Sequence, residues 1–234
     1  TLCTSAVGER ISSPADSKIT LRSSSHAPGF EFQCGVVGAE QYTFPPGLDG
    51  ILGFDVMSKF SVVVLDWGSK VVRFYPSNSS DNQHNVKDAK AVLSIAQRQV
   101  SLGILPFVRS VFGEAPPCDA ILDTGSPITM LTPELSAQAG ISSSPGDSNF
   151  DVKATGVDGR PVLMQAMECP RTTLLGAREV DYEQARVYVG TCSMMELVGW
   201  AGKPAALIGL DLLRPKGAGG RTVFDWEKKE VRIL

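Results

Sequence analysis

The sequence predicts a mostly β protein built from two related lobes, and three observations carry that prediction. Apolar and polar residues alternate over short runs, as in Lys18-Ile-Thr-Leu-Arg22 and Phe30-Glu-Phe-Gln-Cys-Gly-Val-Val37, in the manner of half-buried strands. The end of the chain repeats a stretch from its first third. An acidic turn, Asp123-Thr124-Gly125-Ser126, is set between two apolar arms, Ala120-Ile-Leu122 and Ile128-Thr-Met-Leu131, which read as short buried strands.

Taken in order, residues 1–76 are strand-rich and are predicted to form a partial N-terminal lobe. Within them Gly50-Ile-Leu-Gly-Phe-Asp-Val-Met57 leads into Phe60 to Phe74, which reads as a hairpin turning at Asp66 to Lys70. Residues 77–87 are polar and without periodicity, and they form the predicted linker. Residues 88–234 are predicted to be the C-terminal lobe. There Leu105 to Gly113 and Cys118 to Leu122 make a hairpin that feeds the acidic turn. Beyond the turn, Thr132 is placed as an N-cap, Pro133 at the first helical position and Gly140 as the stop of a short helix. Ala154 to Leu163 reads as a further hairpin.

Ala206-Leu-Ile-Gly-Leu-Asp-Leu-Leu213 then echoes Gly50 to Met57, and Val223-Phe-Asp-Trp226 echoes Val64-Leu-Asp-Trp67. From glycine to Asp-Trp the first copy spans 13 residues (66 − 53) and the second 16 (225 − 209). The surplus is the Gly-rich loop Pro215 to Gly220, which precedes a strand and so reads as a turn, not a phosphate cradle. A period this long marks homologous lobes, not a solenoid.

Composition excludes several classes. A chain of 234 residues, 43% hydrophobic and 20% charged, suits two modest domains or one large β domain. A net charge of -3 without a sustained Lys/Arg run argues against nucleic acid or an anionic membrane as partner. Apolar runs such as Val62 to Leu65 are far too short to span a bilayer, no hydrophobic signal segment is present, and the compartment is left open. Cys3, Cys34, Cys118, Cys169 and Cys192 show no Cys-x-x-Cys spacing, so no metal is expected; they read as scattered buried thiols, with one or two disulfides left open for an oxidising compartment. His26 and His84 lie in Ser- or Asn-rich stretches, which leaves little from which to build a Ser-His-Asp or Cys-His site.

The acidic turn is the chemical centre. A buried carboxylate is costly unless paired or hydrogen-bonded, and Thr124, Gly125 and Ser126 offer hydroxyl and backbone donors to Asp123. With its apolar arms, the hairpin before it and the helix after it, this Asp-Thr-Gly-Ser resembles the signature of aspartic peptidases, pepsin-like and retropepsin-like. In that family two apolar residues and a glycine cross beneath each catalytic loop, and Leu207-Ile208-Gly209 and Ile51-Leu52-Gly53 match this pattern. The resemblance implies a bilobal aspartic-protease fold, each lobe a closed or partly closed β-barrel with a short helix. It implies that Asp123 is catalytic, that Thr124 locks two loops together, that Gly125 admits a backbone amide, and that Ser126 hydrogen-bonds the carboxylate. Gly209 supports the same loop, and Gly156, Val157, Asp158 and Gly159 form a flap over substrate. Ser126 leans toward an acidic optimum. Asp55, Asp66, Asp211 and Asp225 sit on the repeated elements and are assigned to structure.

The implied activity is that of an aspartic endopeptidase acting on a peptide or protein held between lobes, with water activated between two carboxylates and no cofactor. Asp123 supplies one. No Asp-Thr-Gly or Asp-Ser-Gly lies between Thr1 and Gly53, and only 52 residues precede Gly53, whereas Asp123 precedes Gly209 by 86 (209 − 123). The second loop is expected upstream of Thr1 or in trans, from a homodimer of the retropepsin kind; the lobe repeat favours the first. The alternative is a catalytically silent protease-like module that binds extended peptides or mediates association.

Overall fold

The computed structural model describes residues 18–21, 30–33, 53–76, 89–100, 103–141, 151–155, 160–216 and 219–234. The linker 77–87, the flap positions Gly156 to Gly159, Ile51, Leu52, Cys3, Cys34 and both histidines lie outside the described residues. The chain is mostly β, with short helices. Its elements are β1 (Lys18–Leu21), β2 (Phe30–Gln33), α1 (Phe54–Met57), β3 (Val62–Asp66), β4 (Val71–Tyr75), β5 (Ala91–Ser94), β6 (Ala96–Val100), β7 (Gly103–Phe112), β8 (Cys118–Leu122), β9 (Met130–Leu131), α2 (Pro133–Gln138), β10 (Asp151–Thr155), β11 (Pro161–Arg178), β12 (Val180–Gly190), α3 (Ser193–Leu197), β13 (Ala206–Ile208), α4 (Leu210–Leu213), β14 (Arg221–Asp225) and β15 (Glu230–Ile233). Among the described residues no helix is long and apolar enough to cross a membrane.

β1 and β2 pair with each other. The other strands share one sheet in the order β4-β3-β14-β15-β5-β11-β12-β9-β13-β8-β7-β6, with β10 added to β11. A further pairing of β7 with β11 links β11, β12, β9, β13, β8 and β7 into a ring. The ring carries Val108, Phe112, Leu122, Leu131, Leu174 and Ile208 into the main core.

The repeat seen in the sequence becomes a local pseudo-two-fold axis. Hairpin β3–β4 corresponds to β14–β15 at an offset of 159 residues (225 − 66), and β3 pairs antiparallel with β14 so that Val64 faces its own counterpart, Val223. The symmetry extends to individual bonds: Trp67 donates its backbone N–H to Gly220 O (3.0 Å), and Trp226 donates to Ser61 O (2.9 Å). In each hairpin the turn aspartate accepts a backbone N–H three residues on, from Ser69 to Asp66 and from Lys228 to Asp225. Lys70 and Lys229 both close their turns with φ of 55°. One bond breaks the symmetry for a clear reason. The Trp67 indole donates to Thr222 Oγ1 (2.9 Å), but the counterpart of Thr222 is Val63, so the buried Trp226 indole N–H has no partner among the described residues. Trp226 instead stacks on Phe224 and takes the edge of Phe54.

Candidate active site

β8 buries Ala120, Ile121 and Leu122 and then delivers Asp123 into the loop that follows. The two arms of the acidic turn do not pair with each other. β13 is threaded between them, parallel to β8 and antiparallel to β9, with Ile208 beside Leu122 and Leu207 beside Met130. The reason lies in composition: Ala206, Leu207 and Ile208 are all buried, and a run apolar on both faces is stable only with a strand on each side. The Asp123 N–H donates to Ile208 O at 3.0 Å, which fixes the start of the loop on β13.

Gly209 follows directly and lies against the loop. A Cβ there would collide with the carbonyl oxygen of Ile128 and stand 2.5 Å from its carbonyl carbon and 2.8 Å from its nitrogen. The φ of Gly209 is -90°, so the requirement for glycine is steric, not conformational. Next, the Leu210 N–H donates to Ser126 O at 2.9 Å. The loop is then clamped by Thr129 and Asp211. Thr129, fully buried, donates its backbone N–H to Asp211 Oδ2 (2.8 Å) and its hydroxyl to Oδ1 (2.7 Å), while accepting the Gly209 N–H (3.1 Å). Thr132, the N-cap of α2, accepts from Leu135 N and Ala205 N and donates to Lys203 O, tying the helix to the approach of β13.

At the centre, the Gly125 N–H donates to Asp123 Oδ1 at 2.8 Å and the Ser126 N–H donates to Asp123 O at 3.2 Å. Thr124 is half-buried beside them. Burial pushes the Asp123 carboxyl above its ordinary value, and the bonds from the Gly125 and Ser126 amides oppose that rise. The Ser126 side chain is engaged within the turn. Its hydroxyl donates to Ile128 O (2.7 Å) and accepts from Ile128 N (3.3 Å), closing the local turn, so its only proton is spent there.

The hairpin anticipated at Ala154 to Leu163 is formed by β10 and β11, with Thr155 opposite Pro161. Val162 and Met164 at its base cluster with Met130, Met195 and Leu207, so the hairpin is rooted on the strands that hold the loop. Asp55, Asp66, Asp211 and Asp225 lie on the repeated elements. The Thr129 to Asp211 clamp went unremarked in the sequence; its signal is the Gly-x-Asp spacing shared by Gly53-Phe-Asp55 and Gly209-Leu-Asp211. Cys118 and Cys169 are free thiols, and burial pushes the Cys118 thiol up to about 11.

The stretch from the middle of β7 to α4 contains the Asp123 loop, its Thr129 to Asp211 clamp and Gly209. Residues 109–212 match the family described as aspartyl protease. The aspartyl protease match therefore takes in Asp123, Thr129, Gly209 and Asp211 together. Among solved structures, the chain is similar to a retropepsin-like aspartic protease from Rickettsia conorii, at 14% identity and a TM-score of 0.37, over 62% of this chain and 97% of that one. No curated protein matches the chain.

Proposed function

We propose that the chain is the Asp123-bearing part of an aspartic endopeptidase with two lobes, 1–76 and 88–234. The observation that carries this reading is the half-buried Asp123 carboxyl, held by the Gly125 amide on a loop that β13 and Gly209 lock from beneath, inside the aspartyl protease match. Burial holds that carboxyl above its ordinary value and so favours its keeping a proton, as the acid of such a pair must. In the reaction, an ionised carboxylate takes a proton from water as the oxygen attacks the peptide carbonyl. A second, protonated carboxyl donates to the carbonyl oxygen. The C–N bond then breaks as the nitrogen receives a proton, leaving a free acid and a free amine. Two neighbouring carboxyls share one proton because like charges in close contact do not both ionise.

The hairpin β10–β11 would close over an extended peptide, with Gly156, Val157, Asp158 and Gly159 at its tip. A second reading, a silent module that binds extended chains, draws on the exposed edge of β4, where Val71 and Val72 are 41% and 50% accessible. Hydrolysis of an unfolded protein substrate across pH, with and without Asp123→Asn, separates the two. The peptidase reading expects cleavage that Asp123→Asn abolishes while the fold persists. Activity rising as the square of concentration would place the second carboxylate on another copy. Cleavage that survives Asp123→Asn would overturn the assignment.

A further inference from the structure

At the end of the sheet opposite β4, the outer edge of β6 pairs with no strand among the described residues. Ala96, Gln97, Arg98 and Gln99 are exposed along it. A charged side chain often guards such an edge by projecting past it, and Arg98 does not. Its guanidinium turns inward over the buried Phe107 ring, 5.2 Å from the centroid, and reaches Asp119 Oδ2 on β8 at 2.5 Å. Phe107 is held in turn by the edge of Trp200. Arg109 takes the other oxygen of the same carboxylate at 3.3 Å. Two guanidiniums thus share one carboxylate while their side chains stay 51% and 53% exposed, which leaves one positive charge in excess (2 − 1) on a chain of net charge -3.

Register sets this patch close to the acidic loop. Ala96, Phe107 and Ile121 lie side by side on β6, β7 and β8. Asp123 comes two residues after Ile121, and Leu105, which pairs with Arg98, comes two residues before Phe107. Continued across the strands, that row runs Asp123, Leu105, Arg98, and at ordinary strand spacing β6 is about 10 Å from Asp123.

The geometry points to the β6 edge and the Arg98–Arg109 pair as a docking surface for an extended, acidic segment of the polypeptide substrate. The segment adds to the open main-chain groups of β6. A Glu or Asp on it takes charge-assisted bonds from guanidiniums that Phe107 and Asp119 already hold in place. Side chains alternate along a strand, so the patch reads every second position of the segment. A segment outside β6 lies about 15 Å from Asp123, and about five extended residues lead from it to the bond that is cleaved. This inference deepens the peptidase reading and rests on it for the segment's identity as substrate.

The test is binding to the full chain, by fluorescence anisotropy, of a labelled synthetic peptide with Glu at alternate positions of a Thr/Val background, beside analogues with Gln or Lys in place of Glu. The Glu peptide should bind about tenfold more tightly than the Gln peptide, with the Lys peptide weakest, and should slow amide hydrogen exchange at residues 96–100. Arg98→Glu together with Arg109→Glu should abolish that preference. Adding Asp119→Arg restores both ion pairs with their signs exchanged, so the folded triple variant should prefer the Lys peptide. Equal binding of the three peptides, a preference for Glu that survives the triple exchange, or unaltered amide exchange at 96–100 would overturn the docking surface. Hydrolysis of acidic and neutral unfolded substrates, followed with the same proteins, keeps the two readings apart. Selective binding without hydrolysis at any pH would leave the surface standing and count against the peptidase; hydrolysis of both substrates at rates the triple variant leaves unchanged would do the reverse.

Discussion

Hairpins β3–β4 and β14–β15 carry the same ion pair in the same geometry, and it lives in two different environments. Arg73 reaches Asp66 at 2.7 Å, and Arg232 reaches Asp225 at 2.7 Å. The Arg73 side chain is 41% exposed, while that of Arg232 is 2% exposed and also holds Glu230 at 3.0 Å. The repeat fixes the bond; the neighbouring strand β5 fixes the dielectric around it. A motif therefore specifies which groups meet, while its cost and worth come from what packs outside it.

The largest expected effect tests that lesson directly. Arg232→Ala leaves Asp225 and Glu230 facing a buried gap, and removing one partner of a buried pair costs about 3–5 kcal/mol. Arg73→Ala should cost far less, because water reaches that site. Urea unfolding of the two variants measures the difference, and equal losses would show that the covering strand is irrelevant.

The glycines give the next contrast. Gly209→Ala forces a methyl into the Ile128 peptide and should destabilise by roughly 3 kcal/mol, since backbone on both sides has to move. Among the described residues Gly53→Ala meets only the end of the Asp55 side chain, which can rotate, so a loss under about 1 kcal/mol is expected. The same comparison extends to the acids. Asp211→Ala strands the buried Thr129 N–H and hydroxyl at a cost of about 2 kcal/mol, whereas Asp55→Ala removes a carboxylate whose buried Oδ2 has no partner among the described residues and should cost well under that. Thermal melts of the four variants check both pairs; a drop for Asp55→Ala as large as for Asp211→Ala would erase the asymmetry.

Much of this was legible where the cause is local. The bounds of α2 follow from Thr132, Pro133 and Gly140, whose capping chemistry needs no distant residue; Gly140 adopts φ of 69°. Hairpin β3–β4 followed from its alternation, and its relation to β14–β15 from the shared Asp-Trp. What the chain did not show were contacts set by distant partners. That β13 slips between arms adjacent in sequence was implied only by the resemblance at Leu207-Ile208-Gly209, because its pairing with Leu122 joins residues far apart in the chain. The bond from the Ser126 hydroxyl to Ile128 O was equally out of reach, because two acceptors compete for one proton and only the turn geometry decides. The exposure of β4 depends on which strand covers it, which no residue within β4 encodes.

The smallest effect concerns two carboxyls whose ionisation is biased in opposite directions. The Arg73 guanidinium, with the Ser69 amide and hydroxyl, holds Asp66 well below the ordinary carboxylate range, while burial holds Asp123 above it. For Asp66 the unfolded chain binds more protons as pH falls below 3.8, so its stabilising contribution is present above that value and is lost on acidification. For Asp123 the sign reverses. Between 3.8 and its raised folded value the native state holds the extra proton, so this group's contribution declines as pH rises through that window and stays unfavourable above it. Asp123→Asn keeps an oxygen for the Gly125 N–H and removes the buried charge. It should therefore raise the melting temperature at neutral pH and leave it unchanged below 3.8, whereas Asp66→Asn should lower it at neutral pH, by an amount that shrinks below 3.8. Melting curves from pH 3 to pH 7 read both, and a pH-independent offset for Asp123→Asn would mean that its carboxyl is not desolvated and is unsuited to the acid–base role proposed for it.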